Sequence, residues 1–177
     1  MGARHLQITL VGNPNSGKSS LFNELTGLHQ HVGNFPGVTV EKKSGTCHIS
    51  STLTATIVDL PGCYSLYPRR EDEWIAYRVL MEQDPDTKAD LILLATDASN
   101  LKRNLLFASQ IIDLKIPVII ALTMQDIARK KGIDIDITAL ARELGVPVIA
   151  VNPRKKKGIA TLKKTIELWS NESVKAE

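Results

Sequence analysis

Between residues 6 and 26 the chain passes from strand periodicity to helix periodicity through the octapeptide Gly12-Asn13-Pro14-Asn15-Ser16-Gly17-Lys18-Ser19. Leu6, Ile8 and Leu10 alternate with polar residues and lead into Val11-Gly12, which reads as a strand ending at a turn. Ser19 to Thr26 then places Leu21, Phe22 and Leu25 on one side of a helix. The octapeptide matches G-x-x-x-x-G-K-[ST] at every defined position, in the strand-to-helix setting that this motif requires. Glycines let backbone N–H groups turn inward around phosphate oxygens, and the helix that follows points its positive end at them. Lys18 is then the partner of the β- and γ-phosphates, and the Ser19 hydroxyl is a ligand for Mg²⁺. Asn13, Pro14, Ser16 and Ser20 belong to the same phosphate-binding set. Kinases, ATPases and GTPases share such a loop, so the remainder of the chain must separate them.

That remainder alternates strands and helices. Residues 28–39 carry Gly33, Asn34, Pro36 and Gly37 and read as loop. Val40 to Ile49 and Leu53 to Leu60 read as strands joined by Ser50-Ser51-Thr52, a link short enough for an antiparallel hairpin. A helix is expected from Glu71 to about Gln83, closed by Pro85. Leu91–Ala95, Pro117–Leu122 and Pro147–Val151 read as buried strands of a parallel sheet. Leu101, Leu105, Ala108 and Ile112 recur at helical spacing, and Thr138–Leu144 is helical with Gly145 as its stop. Ile159, Leu162, Ile166 and Trp169 mark the last helix, before a polar tail at 171–177.

The fold expected is α/β, with a mostly parallel sheet of six or seven strands, helices on both faces and one antiparallel hairpin strand. A single domain spans residues 1–170, and ligands belong beyond the carboxyl ends of the strands. Composition agrees: 177 residues, 43% hydrophobic and 23% charged, suit one globular domain. The 22 Lys and Arg against 19 Asp and Glu leave a net charge of +3, too small for a general nucleic-acid binder. The longest apolar run, Ile116–Met124, is too short to span a membrane, and Met1–Gln7 does not read as a signal peptide. Cys47 and Cys63 alone make neither a disulfide framework nor a zinc site, which points to a reducing, cytoplasmic setting.

Asp59-Leu60-Pro61-Gly62 closes the second hairpin strand with the D-x-x-G pattern of GTPases, about 40 residues after the phosphate loop. Asp59 is suited to hold Mg²⁺ through a water, and the Gly62 N–H to bond the γ-phosphate, a contact that hydrolysis releases. Thr39, in the Gly33–Val40 loop beside Gly37 and Val38, is the second candidate hydroxyl for Mg²⁺; the alternative is a residue that simply begins a strand.

Three segments carry a resemblance: Val32-Gly33-Asn34-Phe35-Pro36-Gly37-Val38-Thr39-Val40-Glu41, the octapeptide above, and Asp59-Leu60-Pro61-Gly62-Cys63-Tyr64-Ser65-Leu66. Together they resemble the amino-terminal GTPase domain of the prokaryotic ferrous-iron transport protein B family, FeoB, to about residue 170. The resemblance implies a Ras-like P-loop GTPase that binds GTP and GDP with Mg²⁺ and hydrolyses GTP slowly. It implies partners on a longer chain, a small helical domain and a polytopic membrane portion, at the cytoplasmic face of the bacterial inner membrane. Iron binding is not assigned to this segment, and homo-oligomerisation is left open. In related GTPases an Asn at the position of Asn15 helps hold K⁺, with switch-loop carbonyls completing the site. Such an ion offsets transition-state charge as an arginine finger does; the alternative for Asn15 is hydrogen bonding within its loop.

The chain also departs from that pattern. Cys63 stands where Ras-like enzymes place a water-orienting Gln, and a thiol is a poor partner for water. Backbone groups of Thr39 and Gly62 are the leading candidates for that task, so Lys18, Thr39, Gly62 and Asn15 form the expected catalytic set. Glu71, Asp72 and Glu73 read as acidic residues favouring a helix start. Base recognition falls to Thr123-Met124-Gln125-Asp126, where N-K-x-D is usual and the resembled family has N-M-x-D. Asp126 can accept guanine N1–H and N2 amino hydrogens, and it repels the adenine N1 lone pair. Thr123 lacks the amide pair that braces the base loop to the phosphate loop, while Met124 can cover a base face. Asn152-Pro153-Arg154 replaces a Ser-Ala-Lys-like segment, and Pro153 has no N–H for guanine O6.

The expectation is weaker GTP affinity, fast exchange and a reduced preference over ATP. The rival readings are a relaxed-specificity NTPase and a nucleotide-binding switch with negligible hydrolysis; a small-molecule kinase fits the D-L-P-G and T-M-Q-D segments less well. Outside the site, Arg154–Lys157 reads as a solvated loop, with anionic lipid as the alternative partner. His29 and His31 lack the company of a metal site, and Cys47, Trp74 and Trp169 are expected to pack in the core.

Overall fold

The structure is a computed structural model that describes residues 4–82 and 88–175. Seven strands, β1 (Arg4–Gly12), β2 (Gln30–Asn34), β3 (Glu41–Ser50), β4 (Leu53–Asp59), β5 (Leu91–Asp97), β6 (Val118–Thr123) and β7 (Val148–Ala150), form one sheet in the order β2-β3-β4-β1-β5-β6-β7. β3 runs antiparallel to both of its neighbours, and every other neighbouring pair is parallel. Among the described residues six α-helices, α1 (Lys18–Thr26), α2 (Glu71–Glu82), α3 (Leu101–Asp113), α4 (Gln125–Lys130), α5 (Ile137–Leu144) and α6 (Ile159–Lys175), accompany it.

Alternation along the central strands sends side chains to two separate cores. Ile8 and Leu10 of β1 and Leu91 and Leu93 of β5 meet Leu21, Phe22 and Leu25 of α1 and Leu162 and Ile166 of α6. Val11, Ile92 and Leu94 point the other way, toward Ile75 and Leu80 of α2 and Phe107 and Ile111 of α3. A strand covered on both faces gains nothing from polar alternation, which is why Leu91–Ala95 is continuously apolar. Each of these fully buried large side chains contributes about 1.5–3 kcal/mol.

Several expectations change. Residues 30–34 are strand, not loop: β2 pairs antiparallel with β3, Gln30 facing Gly45 and Asn34 facing Glu41. β2 is an edge strand with an exposed surface at four of five residues, so it has no apolar face for the sequence to show. α4 was not expected; its six residues bury only Ala128. The polar residues 171–175 continue α6 rather than forming a tail. In α3 the deepest residues are Asn104, Phe107, Ala108 and Ile111, with Leu101, Leu105 and Ile112 at the edges of the core. Trp74 is 51% exposed and stacks edge-on against Tyr77, whereas Trp169 packs against the α1–α6 core. Cys47 is fully buried in β3.

The caps follow the sequence where it speaks clearly. Asp136 accepts the Ala139 N–H at 2.9 Å to open α5, and Gly145, at φ 69, closes it. α2 ends its described course at Glu82; Pro85 lies outside the described residues. Among the described residues no helix is long and apolar enough to cross a membrane.

Candidate nucleotide site

Parallel strands deliver β1, β4, β5, β6 and β7 to one edge of the sheet, and the loops that leave them there build the site. β1 ends at Gly12, where nothing larger fits: a Cβ there meets Ser16 Oγ at 2.7 Å and the Ala95 carbonyl at 2.8 Å. The chain then coils through Asn15 (φ 61) and Gly17 (φ 80), both left-handed, before α1 begins. α1 has neither a capping side chain nor an acidic residue in its first turn, so its positive end faces the loop uncompensated.

The Asn13 amide is buried with neither Nδ2 nor Oδ1 hydrogen-bonded. Buried polar groups are rarely left so, and a ligand is one standard reason. Asn13 lines a cavity of about 470 Å³, together with Pro14, Asn15, Gly17, Lys18, Ser19, Ser20, Gly62, Arg70, Asp72, Met124 and Arg154. Ser16 does not share it: its Oγ is buried and likewise unpartnered, against Gly12.

Lys18 forms an ion pair with Asp59, which arrives from the end of β4. Burial raises the Asp59 pKa above the ordinary aspartate value, and the Lys18 charge partly pulls it back. The segment after Asp59 lies against the phosphate loop. Leu60 N–H donates to the Leu10 carbonyl at 3.0 Å and Cys63 N–H to the Gly12 carbonyl at 3.2 Å. At Gly62 a Cβ would approach Pro14 to 3.1 Å. The Cys63 side chain turns into the core, where burial first and the Glu73 charge second push its thiol up to about 12. It is therefore a neutral, enclosed group. Beyond it, the Gln110 Oε1 of α3 accepts from the Ser65 hydroxyl at 3.1 Å and the Leu66 N–H at 2.8 Å. Glu73 reaches back to accept the Arg69 and Arg70 N–H groups at 2.8 and 3.3 Å, the helix-start role expected of these acids.

The loop after β2 is held differently. Phe35 is buried, its N–H donating to the Val40 carbonyl at 3.0 Å, so residues 35–40 form a tight arch. Gly37 (φ 75), Val38 and Thr39 lie on that arch and do not line the cavity; Thr39 is exposed.

On the base side, Met124 (φ 58) makes the left-handed turn from β6 into α4 and places Asp126, exposed, in the first turn. A small adjoining pocket of about 70 Å³ is lined by Gly17, Ser20, Thr123, Met124, Asp126, Ile127, Asn152, Pro153 and Arg154. Thr123 is a brace: its buried hydroxyl lies 2.6 Å from the Ser16 carbonyl and 3.1 Å from the Thr96 carbonyl. The tie between base loop and phosphate loop, expected to be lost with the missing amide, is thus kept by a single hydroxyl hydrogen. Asn152 accepts the Lys155 N–H at 3.2 Å, and Pro153 is buried in a short 3₁₀ turn ahead of the exposed Arg154–Lys157 run.

Sequence reasoning missed Arg70 and Asp72 as cavity residues. They belong to no motif of the sequence, so only the fold brings them in. His29 and His31 are exposed, and no group of three His, Cys, Asp or Glu side chains able to hold a metal occurs among the described residues.

The sheet order, the phosphate loop and the two loops flanking it define a Ras-like P-loop GTPase domain. Residues 6–166 match the family described as Ferrous iron transport protein B. The Fe(2+) transporter FeoB of Escherichia coli strain K12 is 48% identical over 177 aligned positions, covering 97% of this chain and 22% of that protein. The G domain of T. maritima FeoB superposes with a TM-score of 0.86 at 39% identity, covering 94% of this chain and 99% of that one. A GDP-bound variant of S. thermophilus NFeoB superposes at 0.81 with 46% identity, covering 90% and 60%. The chain belongs to the FeoB amino-terminal domain family. It spans about a fifth of the length of the curated relatives it matches.

Proposed function

We propose that the chain binds guanine nucleotides with Mg²⁺, hydrolyses GTP slowly, and acts as the nucleotide switch of a ferrous-iron transporter at the cytoplasmic face of a bacterial membrane. The observation that carries the reading is the cavity beside Lys18. Its wall combines a buried, unpartnered Asn13 amide with an uncapped helix start, an arrangement suited to phosphate oxygens. The GDP named in the solved relative fits the same reading.

The donor set suits Mg²⁺: the Ser19 hydroxyl lines the cavity, and the Asp59 carboxylate comes to its edge through Lys18. Thr39 is the second hydroxyl of this set and would have to move inward to serve. Bound Mg²⁺ would neutralise charge on the β- and γ-phosphates. The Asn15 carboxamide, a hard oxygen donor on the cavity wall, suits K⁺. Lys18 holds the phosphate tail, and the Gly62 N–H meets the γ-phosphate. Because the Cys63 thiol is enclosed, water is left to backbone groups, which supports a low rate.

Base preference is weakened in this reading. Asp126 reads guanine, but Pro153 gives no N–H and Thr123 spends its hydroxyl on the phosphate loop. Binding of GTP, GDP and ATP to the wild type and to Thr123→Asn, with phosphate release in K⁺ and Na⁺, tests the whole. The expected result is slow, K⁺-stimulated GTP turnover, modest discrimination against ATP, and sharper discrimination in the variant. Failure of any triphosphate to bind with Mg²⁺ would refute the reading.

A further inference from the structure

Cys63 leaves the reacting water without a side-chain partner, and the cavity holds a further basic residue that can add to Lys18 and a K⁺ ion in acting on the transferring phosphoryl. Three basic side chains line it: Lys18, Arg154 and Arg70. Lys18 is committed to Asp59 and to the phosphate tail. Arg154 also lines the base pocket, so it stands at the nucleoside end. Arg70 lines the phosphate cavity and is absent from the base pocket, as is Gly62, whose N–H is assigned to the γ-phosphate.

Its backbone is fixed while its side chain is held only by an exposed ion pair. The Arg70 N–H is held by Glu73, which anchors the residue to the start of α2. Its side chain is 61% exposed and, among the described residues, pairs with the Asp72 carboxylate, 3.3 Å from Nη2 and itself on the cavity wall. A single exposed ion pair is weakly held and easily exchanged. A phosphoryl group offers a guanidinium two parallel hydrogen bonds instead of one.

We propose that Arg70 is an arginine finger supplied from within the chain, exchanging Asp72 for the γ-phosphoryl group as the transition state forms. This rests on the hydrolase reading above and adds to it a catalytic residue. In the step, the water oxygen bonds the γ-phosphorus and the bond from that phosphorus to the β–γ bridging oxygen breaks. The electron pair of the broken bond stays on the departing GDP, and a water proton leaves with the released phosphate. Arg70 donates to the equatorial oxygens, on which negative charge spreads, and stabilises that arrangement more than the bound substrate.

The test compares wild type, Arg70→Ala and Arg70→Lys in single-turnover GTP hydrolysis, in Na⁺ and in K⁺. Dissociation constants for a non-hydrolysable GTP analogue and for GDP with aluminium fluoride complete it. Because the side chain is exposed, both variants should melt close to the wild type. Arg70→Ala should lose on the order of 10²–10³-fold in rate while binding the ground-state analogue within about threefold of wild type. It should also lose its hold on GDP–aluminium fluoride, and Arg70→Lys should not restore the rate, since an ammonium lacks the two-pronged geometry. Wild-type rates in Arg70→Ala, or equal losses in analogue binding and rate, would overturn the proposal and leave the GTPase reading standing. If the wild type itself binds nucleotide and releases no phosphate, the hydrolase reading falls and this proposal with it.

Discussion

Lys18 and Asp59 neutralise each other at the edge of the phosphate cavity, their side chains only 11% and 10% exposed. Each is the partner that Mg²⁺–triphosphate would take from the other, so nucleotide binding exchanges one internal ion pair for two external ones. Burial holds the Asp59 pKa above the ordinary aspartate value despite Lys18. Protonation therefore competes with Mg²⁺ at this carboxylate. A raised value in the folded state means that the group's contribution to stability is fully present below the ordinary aspartate pKa. That contribution is lost as pH rises through the raised one. As pH falls through the raised value toward the ordinary 3.8, the nucleotide-free protein should gain stability from Asp59 while Mg²⁺-dependent nucleotide affinity declines. Both trends should vanish in Asp59→Asn. Urea unfolding and nucleotide titration, with Mg²⁺ and with EDTA, follow the two; a wild-type Mg²⁺ effect that is flat with pH would contradict the argument.

Thr123, the last residue of β6, ties the phosphate loop and β5 together through one hydroxyl. Thr123→Val keeps the shape of the side chain and removes the donor, leaving the Ser16 and Thr96 carbonyls without it. The expected cost is about 1–3 kcal/mol by urea unfolding. Because Ser16 belongs to the phosphate loop, nucleotide should also leave several-fold faster, measured by displacement of a fluorescent analogue. A stability loss with unchanged release would mean that the brace serves the fold and not the ligand.

How much of this was legible before the structure depended on whether a residue's role is local. The phosphate loop, D-x-x-G, the buried strands and the Gly145 stop are written in short-range spacing or period, and they fall where the sequence put them. β2 was lost because an edge strand exposed on both faces carries no period. Trp74 was misplaced because helix spacing identifies a stripe and not whether anything covers it. The brace at Thr123 could not be read at all: its partner, Ser16, is 107 residues away and is a backbone carbonyl. Arg70 entered the cavity for the same reason, through the path of the chain after Gly62.

Cys63 should be silent to thiol reagents in the folded protein. It is 1% exposed with its thiol pushed up to about 12, so thiolate is scarce and access is closed. A disulfide reagent at pH 8 should modify Cys63 only at the rate of unfolding. The raised value stabilises the fold fully below the ordinary 9.0, and that contribution is lost as pH rises through 12. Relative to Cys63→Ala, the wild type should therefore lose up to about 1.4 kcal/mol per pH unit across that interval. Rapid native-state labelling by mass spectrometry would show that the switch opens and that Cys63 is not an enclosed core residue.

Gly158 fixes the base loop from behind. Asn152 and Lys157 pair across the 3₁₀ turn, and Gly158 follows at φ 77, leading into α6. A Cβ at this position would come within 1.9 Å of the Ala150 carbonyl, at the end of β7, so backbone must move to admit even a methyl group. Gly158→Ala therefore combines left-handed strain with a clash against main chain, and a loss of about 2–4 kcal/mol is expected. The displacement acts first on residues 152–157, which carry Asn152, Pro153 and Arg154 to the base pocket. Nucleotide affinity should consequently fall more in the Gly158→Ala variant than in Gly132→Ala. At Gly132, also left-handed at φ 73, a Cβ meets nothing within 4 Å, and α4 ends beside it. Equal losses of affinity in the two variants, at matched loss of melting temperature, would show that the base loop is not held from the Gly158 side.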